Sequence, residues 1–134
     1  MQDKNFDVQY KGQLITEMIH LKSGSLITTD APVDNNGKGS TFSPTDLVAS
    51  GLCACMLTVI GIHFNKQGRE LNEISCEVRK VMASNPRRIA EVHINFDFGA
   101  NNFNESEYEK VKDLAMNCPV ANSLSPEIEV ITNL

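Results

Sequence analysis

The residues of this 134-residue chain best suited to chemistry are its cysteines, Cys53, Cys55, Cys76 and Cys118. Their settings differ. Cys53 and Cys55 lie inside the apolar run from Leu47 to Ile62, whereas Cys118 opens the stretch Cys-Pro-Val-Ala-Asn-Ser-Leu ending at Leu124. The N-terminal residues Met-Gln-Asp-Lys-Asn-Phe-Asp carry no apolar signal region and no small-residue cleavage site, so a cytoplasmic location is the expectation. In a reducing compartment such cysteines read as buried thiols, metal ligands or redox groups rather than standing disulfides. If Cys55 and Cys118 meet in the fold, they form a dithiol that can cycle.

Cys53 and Cys55 have the look of a C-x-C metal motif. Residues two apart on a helix point roughly 200° apart, however, so only one of them can face a given site and the other is core. Spacing alone leaves open which. Cys118 precedes Pro119 at what reads as the start of a new turn, which puts its sulfur where a helix-capping side chain sits and where amide N–H groups favour a thiolate. Cys55 lies beyond the first turn of its helix and gains nothing from the helix dipole. A neighbour supplied by tertiary structure must activate it. Cys76 falls in the inward set of a strand and reads as packing.

His20, His63 and His93 are scattered, with none at metal-motif spacing from a Cys or carboxylate, so no metal centre is expected. No G-x-G-x-x-G, phosphate-binding loop or nucleophilic-serine elbow occurs, and no organic cofactor is expected either.

The elements that must position these thiols follow from periodicity. Phe6–Tyr10, Leu14–Leu21 and Leu26–Thr29 are β-prone runs separated by Gly12 and Ser23-Gly24, which predicts a meander. Asp30 to Ser40 is a loop by composition, with Asn36-Gly37 and Lys38-Gly39. The long helix begins at Ser43, with Pro44 at the first helical position and Asp46 placed to complete a capping box. Its apolar residues fall on every side, which predicts a helix buried all round that ends between Lys66 and Gly68. Ile74 to Met82 and Ala90 to Phe98 alternate like a hairpin around Ser84-Asn-Pro-Arg87. A second helix runs from Asn104 or Ser106 to Met116, and Ile128–Thr132 forms a last strand. The expected fold class is α+β, in the order β-β-β-α-β-β-α-β, with the long central helix on curved antiparallel sheets.

At 134 residues, 41% apolar and 22% charged, the chain reads as one globular domain spanning residues 1–134. A net charge of −5, with no basic run longer than Arg87-Arg88, argues against nucleic-acid or anionic-membrane partners. The Leu47–Phe64 run approaches membrane-spanning length, but Ser50, Gly51, Thr58 and His63 interrupt it.

Together, Ser-Pro-Thr-Asp-Leu-Val-Ala-Ser-Gly-Leu-Cys-Ala-Cys over 43–55 and the Cys118-Pro-Val-Ala-Asn-Ser-Leu124 motif make the chain similar to the OsmC/Ohr family of osmotically inducible and organic hydroperoxide resistance proteins. The resemblance covers essentially the whole chain. It implies an intertwined α+β homodimer that reduces hydroperoxides, preferring organic ones, in oxidative-stress defence and without a cofactor. By that likeness Cys55 rather than Cys53 is the peroxidatic residue and Cys118 its resolving partner. The thiolate of Cys55 attacks the peroxide, becomes a sulfenic acid, and condenses with Cys118 to a disulfide that an external dithiol reduces.

Two positions depart from the family pattern. Family members hold the reactive thiolate with a Glu after the helix-start proline and an Arg from the N-terminal half; here Thr45 takes the Glu position and no Arg precedes Arg69. Asp46 is adjacent but is expected in the capping box. Lys11, Lys22 or Lys38 can supply positive charge, without the planar fork of Arg. The chain therefore resembles a divergent OsmC-like member. An alternative is a binding protein of the same fold that holds a small hydrophobic ligand and keeps its cysteines as packing.

Overall fold

The computed structural model describes residues 3–134. The described residues gather into two compact units, divided between Leu47 and Val48.

In the first unit, β1 (Phe6–Gly12), β2 (Ile15–His20) and β3 (Leu26–Asp30) form an antiparallel meander in that order. Register sets Val8 opposite Met18, and Met18 opposite Ile27. Alternation thus collects the apolar residues of three strands on one face. A single 3₁₀ turn, Val33–Asn35, interrupts the loop that follows. Buried Asp30 organises this loop, because its carboxylate accepts the Ser40 amide at 3.0 Å and the Ser40 hydroxyl at 2.6 Å. Those bonds hold the Asp30 carboxyl below its ordinary range. Gly37 is required by close approach, since a Cβ there would lie 1.7 Å from the Ala31 carbonyl oxygen.

The long helix α1 (Pro44–Lys66) starts as the sequence predicts. The Ser43 hydroxyl accepts the Asp46 amide at 3.1 Å and the Asp46 carboxylate accepts the Ser43 amide at 2.9 Å, a complete capping box. Asp46 is thereby engaged at the helix start. At the other end Gly68 takes a left-handed φ of 75°, and the Arg69 amide donates back to the Phe64 carbonyl at 2.9 Å.

In the second unit, β4 (Ser75–Ala83) and β5 (Arg88–Asp97) form the expected hairpin. After α2 (Glu105–Met116) and the short α3 (Pro119–Ser123), β6 (Glu129–Asn133) joins the far side of β5. It runs parallel to β5, so this sheet is mixed rather than purely antiparallel. The two helices between β5 and β6 supply the crossover that a parallel pair needs. α2 is capped by Asn104, whose side chain and that of Glu107 exchange bonds with each other's backbone.

The core of this unit is built on one stripe of α1. Ala49, Leu52, Cys53, Met56, Ile60 and Phe64 recur at three- and four-residue spacing and pack with Val92 and Ile94 of β5 and Val111 and Ala115 of α2. The expectation of burial on every side is corrected here. Val48 is 39% and Ile62 47% exposed, and Ala54 and Thr58 are exposed as well. A helix between one sheet and one helix layer has only part of its circumference covered, whatever its composition.

Beyond the end of α1, Arg69 ties the helix to α2 by donating to Glu107 at 2.6 Å and to the Asn102 carbonyl at 2.8 Å. Its guanidinium also stacks over Phe64 and Phe103, 5.3 and 5.0 Å from their ring centres. Buried Asn101 fastens the next segment by bonding both the amide and the carbonyl of Asn72.

Candidate dithiol site

All four cysteines are free thiols, and all four belong to the second unit. Cys55 is half-buried on α1, on a different side of the helix from the core residue Cys53. Cys118 is fully buried where α2 gives way to α3. The helix break has a local cause. Pro119 occupies the first position of α3, where no amide hydrogen is needed, and Cys118 becomes its N-cap. Its sulfur accepts the Ala121 amide at 3.4 Å.

The fold brings Cys55 and Cys118 together, with their thiols hydrogen-bonding and electrostatic neighbours. Two residues distant in sequence thus share one site because α1 and the α2–α3 break pack into the same core. Such a pair can pass between dithiol and disulfide with the transfer of two electrons.

The sequence expectation of a thiolate at Cys118 is corrected by the structure. The cap forms as expected, and the amides of Ala121 and Val120 do favour the charged sulfur. Burial opposes them and prevails, with the Cys55 thiol adding to it, so the Cys118 thiol is pushed above its ordinary value. Cys118 waits as a protonated thiol.

A second thiol pair was not legible in the sequence. Cys53, on the core stripe of α1, hydrogen-bonds Cys76 of β4. Period-two alternation does turn Cys76 inward, but nothing in the sequence says which helix residue it meets. Burial raises Cys53, and burial followed by the neighbouring Cys53 pushes Cys76 up to about 12.

The departures from the family pattern are equally concrete. Thr45 sits beside the helix cap, its hydroxyl 3.2 Å from that of Ser43. Arg69, the first arginine of the chain, is held by Glu107 and Asn102 as described above. Lys11, Lys22 and Lys38 all lie in the first unit.

Comparison with known proteins agrees with this architecture. The family model for OsmC-like proteins matches residues 37–133. A crystal structure from Psychrobacter arcticus 273-4, provisionally described as an osmotic stress induced and detoxification response protein, is 44% identical, with a TM-score of 0.91 over 99% of this chain and 98% of that one. The organic hydroperoxide resistance protein OsmC of Legionella pneumophila is 18% identical, with a TM-score of 0.72 over 98% of this chain and 97% of that one. OhrB of Bacillus subtilis, an organic hydroperoxide resistance protein, is 17% identical, with a TM-score of 0.65 over 98% of each chain. At such identities the last two speak for the shared fold. Comparison with curated protein sequences finds no significant match. The matched family model and the 44% identical structure lead to one conclusion: the chain belongs to the family of OsmC-like proteins.

Proposed function

We propose that this protein is a cytoplasmic thiol peroxidase that reduces hydroperoxides, organic ones foremost, in oxidative-stress defence. The single observation that carries the reading is the meeting of Cys55 and Cys118 as neighbouring free thiols. Cys55 is half-buried and Cys118 fully buried, which suits the first to attack and the second to resolve. The Cys55 thiolate attacks one peroxide oxygen, the O–O bond breaks, and the alkoxide leaves as alcohol after taking a proton. Cys55 is then a sulfenic acid. Cys118 displaces its hydroxyl, the Cys118 proton leaves with it as water, and a disulfide results. An external dithiol restores both thiols by exchange and is itself oxidised. Neither metal nor organic cofactor takes part.

The test is hydroperoxide consumption with dithiol as the electron source. The intact protein turns over, and Cys55→Ser abolishes turnover while leaving the protein folded. Undiminished consumption by that variant would sink the reading. Cys118→Ser removes the disulfide step and leaves a sulfenic acid at Cys55 that a carbon nucleophile traps.

A second reading, a small-ligand carrier, draws on Thr45 at the family Glu position and on the engagement of Arg69 with α2. It requires that Cys55→Ser leave apolar-ligand binding intact in a protein inert toward hydroperoxides.

We further infer that the working form is a homodimer. Phe6, Val8 and Tyr10 of β1 are 59%, 63% and 67% exposed on one face of the first unit's sheet, and Val48 and Ile62 are exposed on α1. Phe6, Val8, Met18 and Ile27 line an apolar groove of about 440 Å³ on that sheet. Exposed apolar surface of this extent on two elements fits a second copy of the chain.

A further inference from the structure

We propose that Cys53 and Cys76 are a second dithiol couple, which a hydroperoxide in excess converts to an α1–β4 disulfide. Two features of the fold carry this. The thiols are hydrogen-bonding neighbours in the core of the second unit. Cys76 also lines an open cavity of about 760 Å³ together with Ser75, Glu77, Phe96 and Tyr108, so an oxidant in solution reaches the pair from that side. Cys53 is 5% exposed, so Cys76 is the member of the pair that meets the oxidant.

The step balances. The Cys76 sulfur takes one oxygen from the hydroperoxide, releasing an alcohol and leaving a sulfenic acid. The Cys53 thiol then displaces the hydroxyl, giving one disulfide and one water. The couple supplies two electrons and the hydroperoxide accepts them. The oxidant is the one assigned above, so the couple rests on that reading for its physiological partner.

A disulfide needs its Cα atoms about 4.4–6.8 Å apart. Cys76 lies on β4, an edge strand of its sheet that pairs with β5, and closing the bond calls on that edge to meet this spacing. A disulfide at Cys76 borders the open cavity, and exposed disulfides are the readily reduced ones, as a reversible switch requires. It is also slow to form. With Cys76 near 12 instead of 9.0, its thiolate is scarcer. That scarcity, partly offset by the greater nucleophilicity of a more basic sulfur, slows attack roughly thirty- to sixtyfold relative to an unperturbed thiol.

Tryptic peptides separate the two couples, because Cys53 and Cys55 fall in 39–66, Cys76 in 70–79 and Cys118 in 113–134. The reduced full chain is treated with one and then with many equivalents of tert-butyl hydroperoxide, alkylated, digested and mapped by mass spectrometry. A link between 39–66 and 70–79, located to Cys53 by fragmentation and arising only in excess, is the expected result. In Cys76→Ser that link is lost and the link from 39–66 to 113–134 persists. Cys76 recovered as free thiol, as sulfinic acid, or joined to any residue but Cys53 of the same chain would overturn the proposal. Failure of the Cys55–Cys118 link alone would count against the peroxidase reading and not against this couple.

Discussion

At the scale of single residues, the four thiols divide by environment rather than by sequence context. Burial keeps Cys53, Cys76 and Cys118 protonated, and in Cys118 it outweighs two amide donors. A raised thiol pKa has a consequence for stability with a definite sign. The unfolded chain releases these protons near 9.0 and the folded one later, near 12 for Cys76, so folding is undiminished below pH 9 and loses stability as pH rises from 9 toward 12. Denaturation midpoints measured across that window under reducing conditions are expected to fall, and Cys76→Ala is expected to flatten the decline. A midpoint that rises above pH 9 would contradict the assigned environments. Resolution by Cys118 is a separate expectation at this scale. In Cys118→Ser the trapped Cys55 sulfenic acid should accumulate to one equivalent per chain.

At the scale of elements, helix ends and the loop before them hold the site-bearing segments in place. The reciprocal bonds of Ser43 and Asp46 start α1, and Ser43 is buried at 1% exposure, so water does not replace its hydroxyl. Ser43→Ala is expected to cost about 1 kcal/mol. For a chain of this length that lowers Tm by about 3–5 °C, to be read by calorimetry. The loop of the first unit tolerates even less at Gly37, where a methyl would meet the Ala31 carbonyl oxygen. Gly37→Ala should destabilise by about 1–3 kcal/mol, the usual range for overpacking, visible as a lower urea midpoint. Much at this scale was legible beforehand. Caps, turns and alternation are local, and they anticipated α1, the β4–β5 hairpin and α2 with end shifts of a residue or two. The parallel direction of β6 was not, because a short apolar run has the same pattern in either direction.

At the scale of the whole molecule, the exposed apolar residues carry the prediction. Val8 is 63% exposed, so Val8→Glu costs a monomer almost nothing. In a dimer built on that face it buries an unpaired charge at the interface. Light scattering is expected to give the wild-type chain twice its 14.8 kDa and the variant 14.8 kDa, with the variant still folded. A wild-type mass of 14.8 kDa would refute the assembly.

What the sequence determined by itself is everything that depends on neighbours along the chain: the α+β class, the capped helix that carries Cys53 and Cys55 on different sides, the Cys118-Pro119 break, and the motifs that mark the family. Which thiol meets which does not follow from neighbours along the chain: resemblance to the family implied the Cys55–Cys118 pair, and tertiary structure alone decided the Cys53–Cys76 one. Cys55 faces Cys118, and Cys53 faces Cys76, because core packing fixes the rotation of α1 against its neighbours. It also decided the protonation of Cys118. The amide donors are a local matter that the Cys-Pro motif announces, whereas desolvation is a sum over everything packed around the sulfur, and in this core the sum prevails.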